Sequence, residues 1–457
     1  MTIAKELKTI VGSADILMTA EEMAYARLDQ STNVAASLPL LVVKVRTVDM
    51  LIAVVQCCIK NNQPMVVRAA GSGKSGGAVA NGDAVLIDIS LLNRILKIDD
   101  KDLVAIVEPG VVLHELQMAV DRLGLFYPPD PASFRIATIG GNVAENAAGP
   151  STLKYGSTRD YLLGGQAILG TGELIDFGKR CPKGVAGYDV ASLLCGSEGT
   201  LAIFTKLILR LLPKPRCQSA AIFFFDDQDD ALAAVNAIFG DGHLPRTLEY
   251  VDAHCLKALG KVTDSAEFKT AAAALIIECD STYQGGSNFA MAAIGETLRQ
   301  YSVIDTLVAK SDRERKKIWD VRSMLSDACS RFLGHKISED IAVPLGSLSL
   351  FQRAIARFER PPHLLCGLFG HAGDGNLHVQ IMFDDQKLRP IAEEVRHEVL
   401  LLVLKIGGTL TAEHGIGLQK KEYLPLEQSG ELIELQRRIK KSFDPHNLLN
   451  PGKIFDV

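Results

Sequence analysis

The sequence predicts an α+β protein made of an N-terminal α/β domain and an antiparallel α+β domain that follows it. Three observations carry this. From Pro39 onward, short apolar runs of strand length alternate with longer runs of helical period. A proline-rich junction, Leu212-Pro-Lys-Pro-Arg216, interrupts that texture. Beyond it, apolar strands and helices alternate in the manner of an antiparallel sheet that carries its helices on one face. The length of 457 residues suits two to three domains of ordinary size.

The elements follow in order. Residues 4–30 read as helical, with Ile10, Leu17, Met23 and Ala24 set among charges. Residues 41–45 form a short apolar strand, 48–61 a helix and 64–69 a second strand. The run Gly71-Ser-Gly-Lys-Ser-Gly-Gly77 comes next, then strands at 85–89 and 104–107 and a helix at 113–123. Residues 124–200 are rich in glycine and proline, and so long an irregular stretch points to a surface that wraps a ligand. After the junction, strands at 220–225, 274–279, 366–369 and 379–383 alternate with helices at 230–239, 287–299, 348–358 and 390–405. An amphipathic helix over 424–443 ends at Asp444-Pro445, before Leu449-Asn-Pro-Gly-Lys453.

Composition excludes several classes. Hydrophobic residues make up 47% and charged residues 23%, an ordinary globular balance that rules out disorder and low complexity. A net charge of −5 with no basic block argues against nucleic-acid binding. The longest apolar stretches, 38–43 and 271–277, fall far short of the roughly 20 residues of a membrane span. Residues 1–17 are broken by Lys5, Glu6, Lys8 and Asp15 and lack the apolar core of a secretory signal. The nine cysteines are scattered without a C-x-x-C pair, which speaks against an internal iron–sulfur cluster or thiolate zinc site. Reduced thiols in a soluble, cytoplasmic protein are the expectation.

Two glycine motifs mislead. Gly71 to Ser75 looks like a P-loop, but the glycine required six residues before Lys74 is Arg68. Gly71, Gly73 and Gly76 satisfy G-x-G-x-x-G, yet residues 78–83 favour a turn into a strand over the helix a Rossmann site needs. The small residues from Ala69 to Gly77 can still expose backbone N–H groups that cradle a pyrophosphate. In the C-terminal third, His371 and His378 flank a tight Gly-Asp-Gly turn, and Glu413-His414 sits between glycines. If strands flank the turn, the two histidines converge at its base. Two imidazoles and a carboxylate form the ligand set of a catalytic divalent metal.

Read together, these segments resemble a known family. They are Arg68 to Gly77, Pro129-Asp-Pro-Ala-Ser133, Ala137-Thr-Ile-Gly-Gly-Asn142, Leu153-Lys-Tyr-Gly156, Gly187-Tyr-Asp189, Gly196-Ser-Glu-Gly-Thr200, Gly370 to His378, Glu413 to Gly417, and Leu449 to Lys453. Their number and order are similar to the FAD-linked 2-hydroxyacid oxidoreductases of the vanillyl-alcohol-oxidase-like superfamily, over roughly residues 36–455. The resemblance implies an N-terminal helical segment over 1–35 and a PCMH-type FAD-binding domain of two α/β subdomains over 36–215. A substrate, or cap, domain follows over 216–406, and residues 407–457 return to the FAD domain.

The resemblance also implies site residues. Ala69, Ala70, Gly71, Ser72, Gly73, Ser75, Gly76, Pro131, Ala132, Ser133, Thr138, Gly140, Gly141, Asn142, Asn146, Gly149 and Tyr155 would line FAD. Glu198, Gly199 and Ile203 would lie near its adenosine end, and Asn450 in the returning tail. With no histidine between 50 and 113, FAD is expected to be noncovalent. The family's usual glycine and leucine are Ala69 and Lys74 here. His371, His378 and Glu413 correspond to the metal ligands (Zn, Fe or Mn), His414 to the base, Arg322 to the substrate-carboxylate arginine and Lys336 to a lysine beside it. The implied reaction oxidises a small D-2-hydroxy acid, glycolate or D-lactate above D-2-hydroxyglutarate. Electrons would leave to an iron–sulfur subunit, an electron-transferring flavoprotein or quinone, in a homo- or hetero-oligomer that could meet the membrane through a partner. A non-catalytic FAD-holding subunit is the alternative, and such subunits usually lose the metal and base residues that this chain keeps.

Overall fold

The computed structural model describes residues 2–31, 34–263 and 266–457, and the chain divides into two compact units. The first comprises Met1–Ala148, Ser157–Lys214 and Glu413–Val457, and the second Gly149–Gly156 and Pro215–Ala412. The sequence-based boundaries therefore shift. Residues 149–156 leave the 36–215 domain, and the last crossing falls between Ala412 and Glu413 rather than at 406/407. Contacts to Arg246 and Asp280, the latter also paired with Lys154, hold 149–156 in the second unit. Ser151 Oγ accepts from Arg246 Nε (3.0 Å), and the hydroxyl of Tyr155 donates to Asp280 (2.6 Å).

The strands of the first unit are β1 (Ile16–Leu17), β2 (Leu41–Lys44), β3 (Met65–Arg68), β4 (Val85–Asp88), β5 (Ile95–Asp99), β6 (Val104–Val107), β7 (Leu125–Phe126), β8 (Leu162–Leu169), β9 (Leu174–Gly178), β10 (Ala202–Arg210) and β11 (Leu212–Pro213). β2, β4 and β3 are parallel, with β1 antiparallel on the edge. The helix Val48–Lys60, capped by Thr47, links β2 to β3 and buries Leu51, Val54, Val55 and Cys58 against the sheet. A second sheet, ordered β5-β6-β10-β8-β9, is antiparallel throughout. The chain's end is fastened here. The buried Lys440 donates to Thr200 O (2.7 Å) and Leu449 O (2.8 Å), and Leu449 bridges to Met65 on β3.

Three sequence expectations for this unit fail for local reasons. The helix expected over 4–30 is only Ile3–Val11, because Gly12 at φ +85° ends it and the chain passes through one 3-10 turn to β1. The stretch 124–200 is not irregular throughout: it holds β8 and β9, and Gly164, Gly165 and Gly178 are strand residues. A Cβ on Gly164 would lie 2.4 Å from Phe177 O, and one on Gly165 would lie 2.3 Å from Lys206 O. The tail helix expected over 424–443 breaks at Gln428-Ser429, where Ser429 Oγ accepts from Leu432 N and starts a new helix, Gly430–Phe443.

The second unit is a seven-stranded antiparallel sheet made of β12 (Cys217–Phe225), β13 (Thr247–Asp252), β14 (Ala273–Ser281), β15 (Val303–Val308), β16 (His335–Ala342), β17 (Leu364–His371) and β18 (Asn376–Phe383). Their order is β15-β12-β14-β13-β17-β18-β16. One face packs Ile222, Phe224, Ile276 and Phe369 against the helices Ala253–Thr263, Asp312–Ser323 and Leu325–Leu333. The alternate residues Ala221, Phe223, Phe225, Leu275 and Ile277 are buried too, and the helices Gln228–Gly240 and Gly286–Leu298 also touch β12 and β14. Helices thus cover both faces, not one. The continuous apolar run of β12, with no polar alternation, is the sequence signature of that arrangement.

Candidate active site

A cleft in the first unit opens where β3 ends. Its wall includes Ala69, Ala70, Gly71, Ser72 and Gly73, then Pro131, Ala132, Ser133, Thr138, Gly140, Gly141 and Asn142, and finally Glu198, Gly199, Ile203, His414 and Asn450. Lys74 lines it too and is exposed. Gly71, at φ +63°, is required, because a Cβ there would sit 2.1 Å from Arg68 Nη2. That guanidinium is buried under the loop and donates to the carbonyls of Tyr25 and Leu28, each at 3.0 Å. No helix follows Gly76. Thr138 caps the helix Ile139–Glu145, and Gly140 lies so close to Pro109 that a Cβ would fall 2.6 Å from its side chain.

The backbone of this cleft suits FAD. Among the described residues, no hydrogen bond engages the N–H groups of Ala70 to Gly77. The Nδ2 of Asn142 and the Oδ1 of Asn450 are buried with no partner there either. A run of unused donors beside a cleft is what a pyrophosphate takes.

Five expected cofactor residues do not line the cleft. Ser75 is buried, and its carbonyl accepts from Leu418 N (2.8 Å) and Gln419 N (3.0 Å). Gly76, at φ +82°, faces Val34 and Leu418. Asn146 is a left-handed helix cap whose Oδ1 accepts from Ser157 Oγ and Arg159 N. Gly149 and Tyr155 belong to the second unit. For Ser75 and Asn146 the structural use was not legible in the sequence.

His414 enters the cleft on a loop tied at two points. Glu198, at φ +51°, accepts Ile416 N at one oxygen (2.8 Å) and Gly417 N at the other (2.7 Å). Gly417, at φ +50°, presses on Ser75, where a Cβ would lie 2.2 Å from its carbonyl oxygen. Glu145 completes the surroundings, and a Cβ on Gly415 would touch both carboxyl groups, at 2.6 and 2.9 Å. Burial pushes Glu198 up to about 7 against the bonds from Ile416 and Gly417. Burial, then Glu198 and Asp29, lift Glu145 well above the usual range.

The second unit holds four other expected residues, three of them on strands and Arg322 on the helix Asp312–Ser323. Phe369 pairs with His378, so His371, two residues on, shares its face, and the rings stand 5.5 Å apart. Asp340 pairs with His378, and its Oδ1 lies 3.7 Å from His378 Nδ1. His371 Nδ1 is 2.5 Å from Oε1 of the buried Glu249. Glu249 Oε2 takes Arg322 Nε and Nη2, each at 2.6 Å, and the guanidinium stacks 4.8 Å from the Phe369 ring centre. Spacing alone favours Asp320 or Asp327 as partner of Arg322; the structure supplies Glu249, and Asp327 pairs with Arg331. Burial opposes ionisation of Glu249, but the charges of Arg322 and His371 outweigh it and hold the carboxyl at about 2. Lys336 donates to Ser326 and Gln380. Glu249 and Asp340 were not foreseen, since nothing in the spacing ties residue 249 to 322 or 371.

Comparison with known proteins fits this geometry. Residues 39–178 match the FAD binding domain model, and residues 214–454 match the model for FAD linked oxidases, C-terminal domain. The chain is 34% identical to glycolate oxidase subunit GlcD of Bacillus subtilis (strain 168), over 92% of this chain and 89% of that protein. It is 33% identical to D-lactate dehydrogenase of Anaerostipes hadrus (91% and 89%). It is 30% identical to D-2-hydroxyglutarate dehydrogenase of Stutzerimonas stutzeri (strain A1501), over 98% of each. In fold it is similar to p-cresol methylhydroxylase with substrate bound, with a TM-score of 0.79 at 16% identity over 99% of this chain and 96% of that one. The chain therefore belongs to the FAD-linked oxidases, as an FAD-dependent oxidoreductase of the glycolate oxidase, D-lactate dehydrogenase and D-2-hydroxyglutarate dehydrogenase family.

Proposed function

We propose that the protein oxidises a small D-2-hydroxy acid, glycolate or D-lactate, to the 2-oxo acid. The observation that carries this is the row of His378, His371 and Glu249 on the sheet, which Arg322 extends by reaching Glu249 from the helix Asp312–Ser323. The Glu249 carboxylate at His371 Nδ1 would leave Nε2 as the ligating lone pair, the arrangement of metal-ligating imidazoles, and Asp340 lies 3.7 Å from His378 Nδ1. With Glu413, the residue after Ala412, they would hold a divalent ion (Zn, Fe or Mn) that makes the substrate hydroxyl more acidic. FAD, held noncovalently in the first unit's cleft, supplies the two-electron acceptor.

The chain's own groups do the rest. Arg322 pairs with the substrate carboxylate through the Nη1 side, which takes no part in the Glu249 contact, and so fixes the orientation of C2. His414 takes the hydroxyl proton. Lys336 stands as a second positive charge for the bound acid, on the strand that carries Asp340. Arg315, on the same helix as Arg322, is committed to Glu278 (3.2 Å), which favours a substrate with one carboxylate over 2-hydroxyglutarate. Reoxidation falls to an external acceptor, an iron–sulfur subunit, an electron-transferring flavoprotein or quinone, within an oligomer. No helix among the described residues is long and apolar enough to cross a membrane.

Metal analysis of FAD-loaded protein tests the reading. The unmutated protein should hold about one divalent ion per flavin, and His371→Ala and His378→Ala should keep flavin and lose the ion. Flavin without metal in the unmutated protein would contradict the metal site and favour an FAD-holding scaffold subunit.

A further inference from the structure

We infer that Glu249 is a positioning residue that couples the metal site to substrate-carboxylate binding; this deepens the proposed function and rests on it. The carboxylate divides its two oxygens between two different tasks. Oε1 faces His371 Nδ1 at 2.5 Å, and Oε2 receives both Nε and Nη2 of Arg322 at 2.6 Å. Glu249 is fully buried, on the central strand β13, and cannot turn to solvent. Its contact with His371 sets the tautomer and aims Nε2 at the ion. Its contact with Arg322 holds the guanidinium plane over Phe369 and leaves the Nη1 side for a ligand.

The shared charge makes the two functions interdependent. The negative charge of Glu249 is cancelled by Arg322 as the structure stands. Bringing an acid substrate to Arg322 draws on that positive charge and leaves more of the Glu249 charge facing His371, which favours a cation there. A cation at His371 in turn draws on Glu249 and leaves more of Arg322 for the acid. Linkage requires the effect to be reciprocal.

Three variants test this in full-length FAD-loaded protein, with metal retention read by dialysis against graded chelator and KM and kcat read separately. Glu249→Gln should keep its flavin and far-UV spectrum, retain metal about 10–100-fold less well, and raise KM for D-lactate at least about tenfold with a smaller change in kcat. Glu249→Asp should recover part of both losses. Arg322→Gln gives the sharper result. It touches none of the proposed ligands, and it should raise metal retention severalfold, because Glu249 then faces His371 uncompensated, while KM rises. A purely structural role would loosen the site and lower retention. Metal retention and KM both within twofold of the unmutated protein in Glu249→Gln, or lowered retention in Arg322→Gln, would overturn the coupling. An unmutated protein that holds flavin but no metal would overturn the proposed metal site itself, a failure read before any variant is made.

Discussion

At the scale of single residues, the proposed chemistry is concentrated in a few groups whose removal has distinct signatures. His414→Asn should lower kcat by about 10²–10⁴-fold with flavin still bound, since a positioned base contributes that much; unchanged turnover would remove it from the proton-transfer role. Arg322→Lys should chiefly raise KM, because a lysine cannot reproduce the planar fork that Glu249 and Phe369 hold. The pair Glu145 and Glu198 predicts a pH dependence of stability. Both have folded values raised by burial. Their contribution is present below the ordinary carboxyl range and is lost as pH rises through about 7, the value for Glu198. Urea midpoints of FAD-free protein should therefore fall between about pH 5.5 and about pH 8, and Glu145→Gln should flatten the slope. A midpoint that climbs over this range would contradict the assignment. His371 and His378 were legible in the sequence because a glycine turn between two apolar runs implies a hairpin, and hairpin register is local. Glu249 was not, because it meets both partners only through a sheet assembled from distant strands.

Among the elements, the loop from His414 to Gly417 shows how backbone conformation serves the site. Gly417 has a positive φ and lies against Ser75, so Gly417→Ala should cost about 2–4 kcal/mol. It should also weaken FAD binding, because the same contact seats the loop that carries the unused N–H groups. A thermal midpoint within a degree or so of the parent would show that the loop yields. Four of the second unit's seven strands, β12, β14, β17 and β18, were readable as apolar runs, and so was the hairpin at 370–378, whereas β13, β15 and β16 were not. What failed was the reading of glycine. In β8, Gly164 and Gly165 are demanded by neighbouring backbones, and a chain reader takes them for breaks. Serine caused the opposite error, since Ser429 starts a helix inside a run whose apolar period continues across it. The helices on both faces of the sheet were foreshadowed by the unbroken apolar run of β12.

For the whole molecule, each unit has its own sheet system and carries its own share of the expected site residues. The cleft-lining residues, His414 among them, lie in the first, and His371, His378, Arg322 and Lys336 in the second. The order of motifs made the family legible, while the excursion of residues 149–156 was not. A helix of four residues, Thr152–Tyr155, has no sequence signature of the unit it joins; its place depends on Asp280 and Arg246, distant in the chain. The central claim of the proposed function is that this chain uses FAD and a divalent ion to oxidise one-carboxylate hydroxy acids. The most direct test is an anaerobic visible spectrum of FAD-loaded protein before and after D-lactate, glycolate or D-2-hydroxyglutarate, repeated after chelation. Bleaching of the flavin band by D-lactate or glycolate, weaker with D-2-hydroxyglutarate and abolished by the chelator, is the predicted result. A flavin band that none of the three acids bleaches, or bleaching that survives complete metal removal, would contradict it.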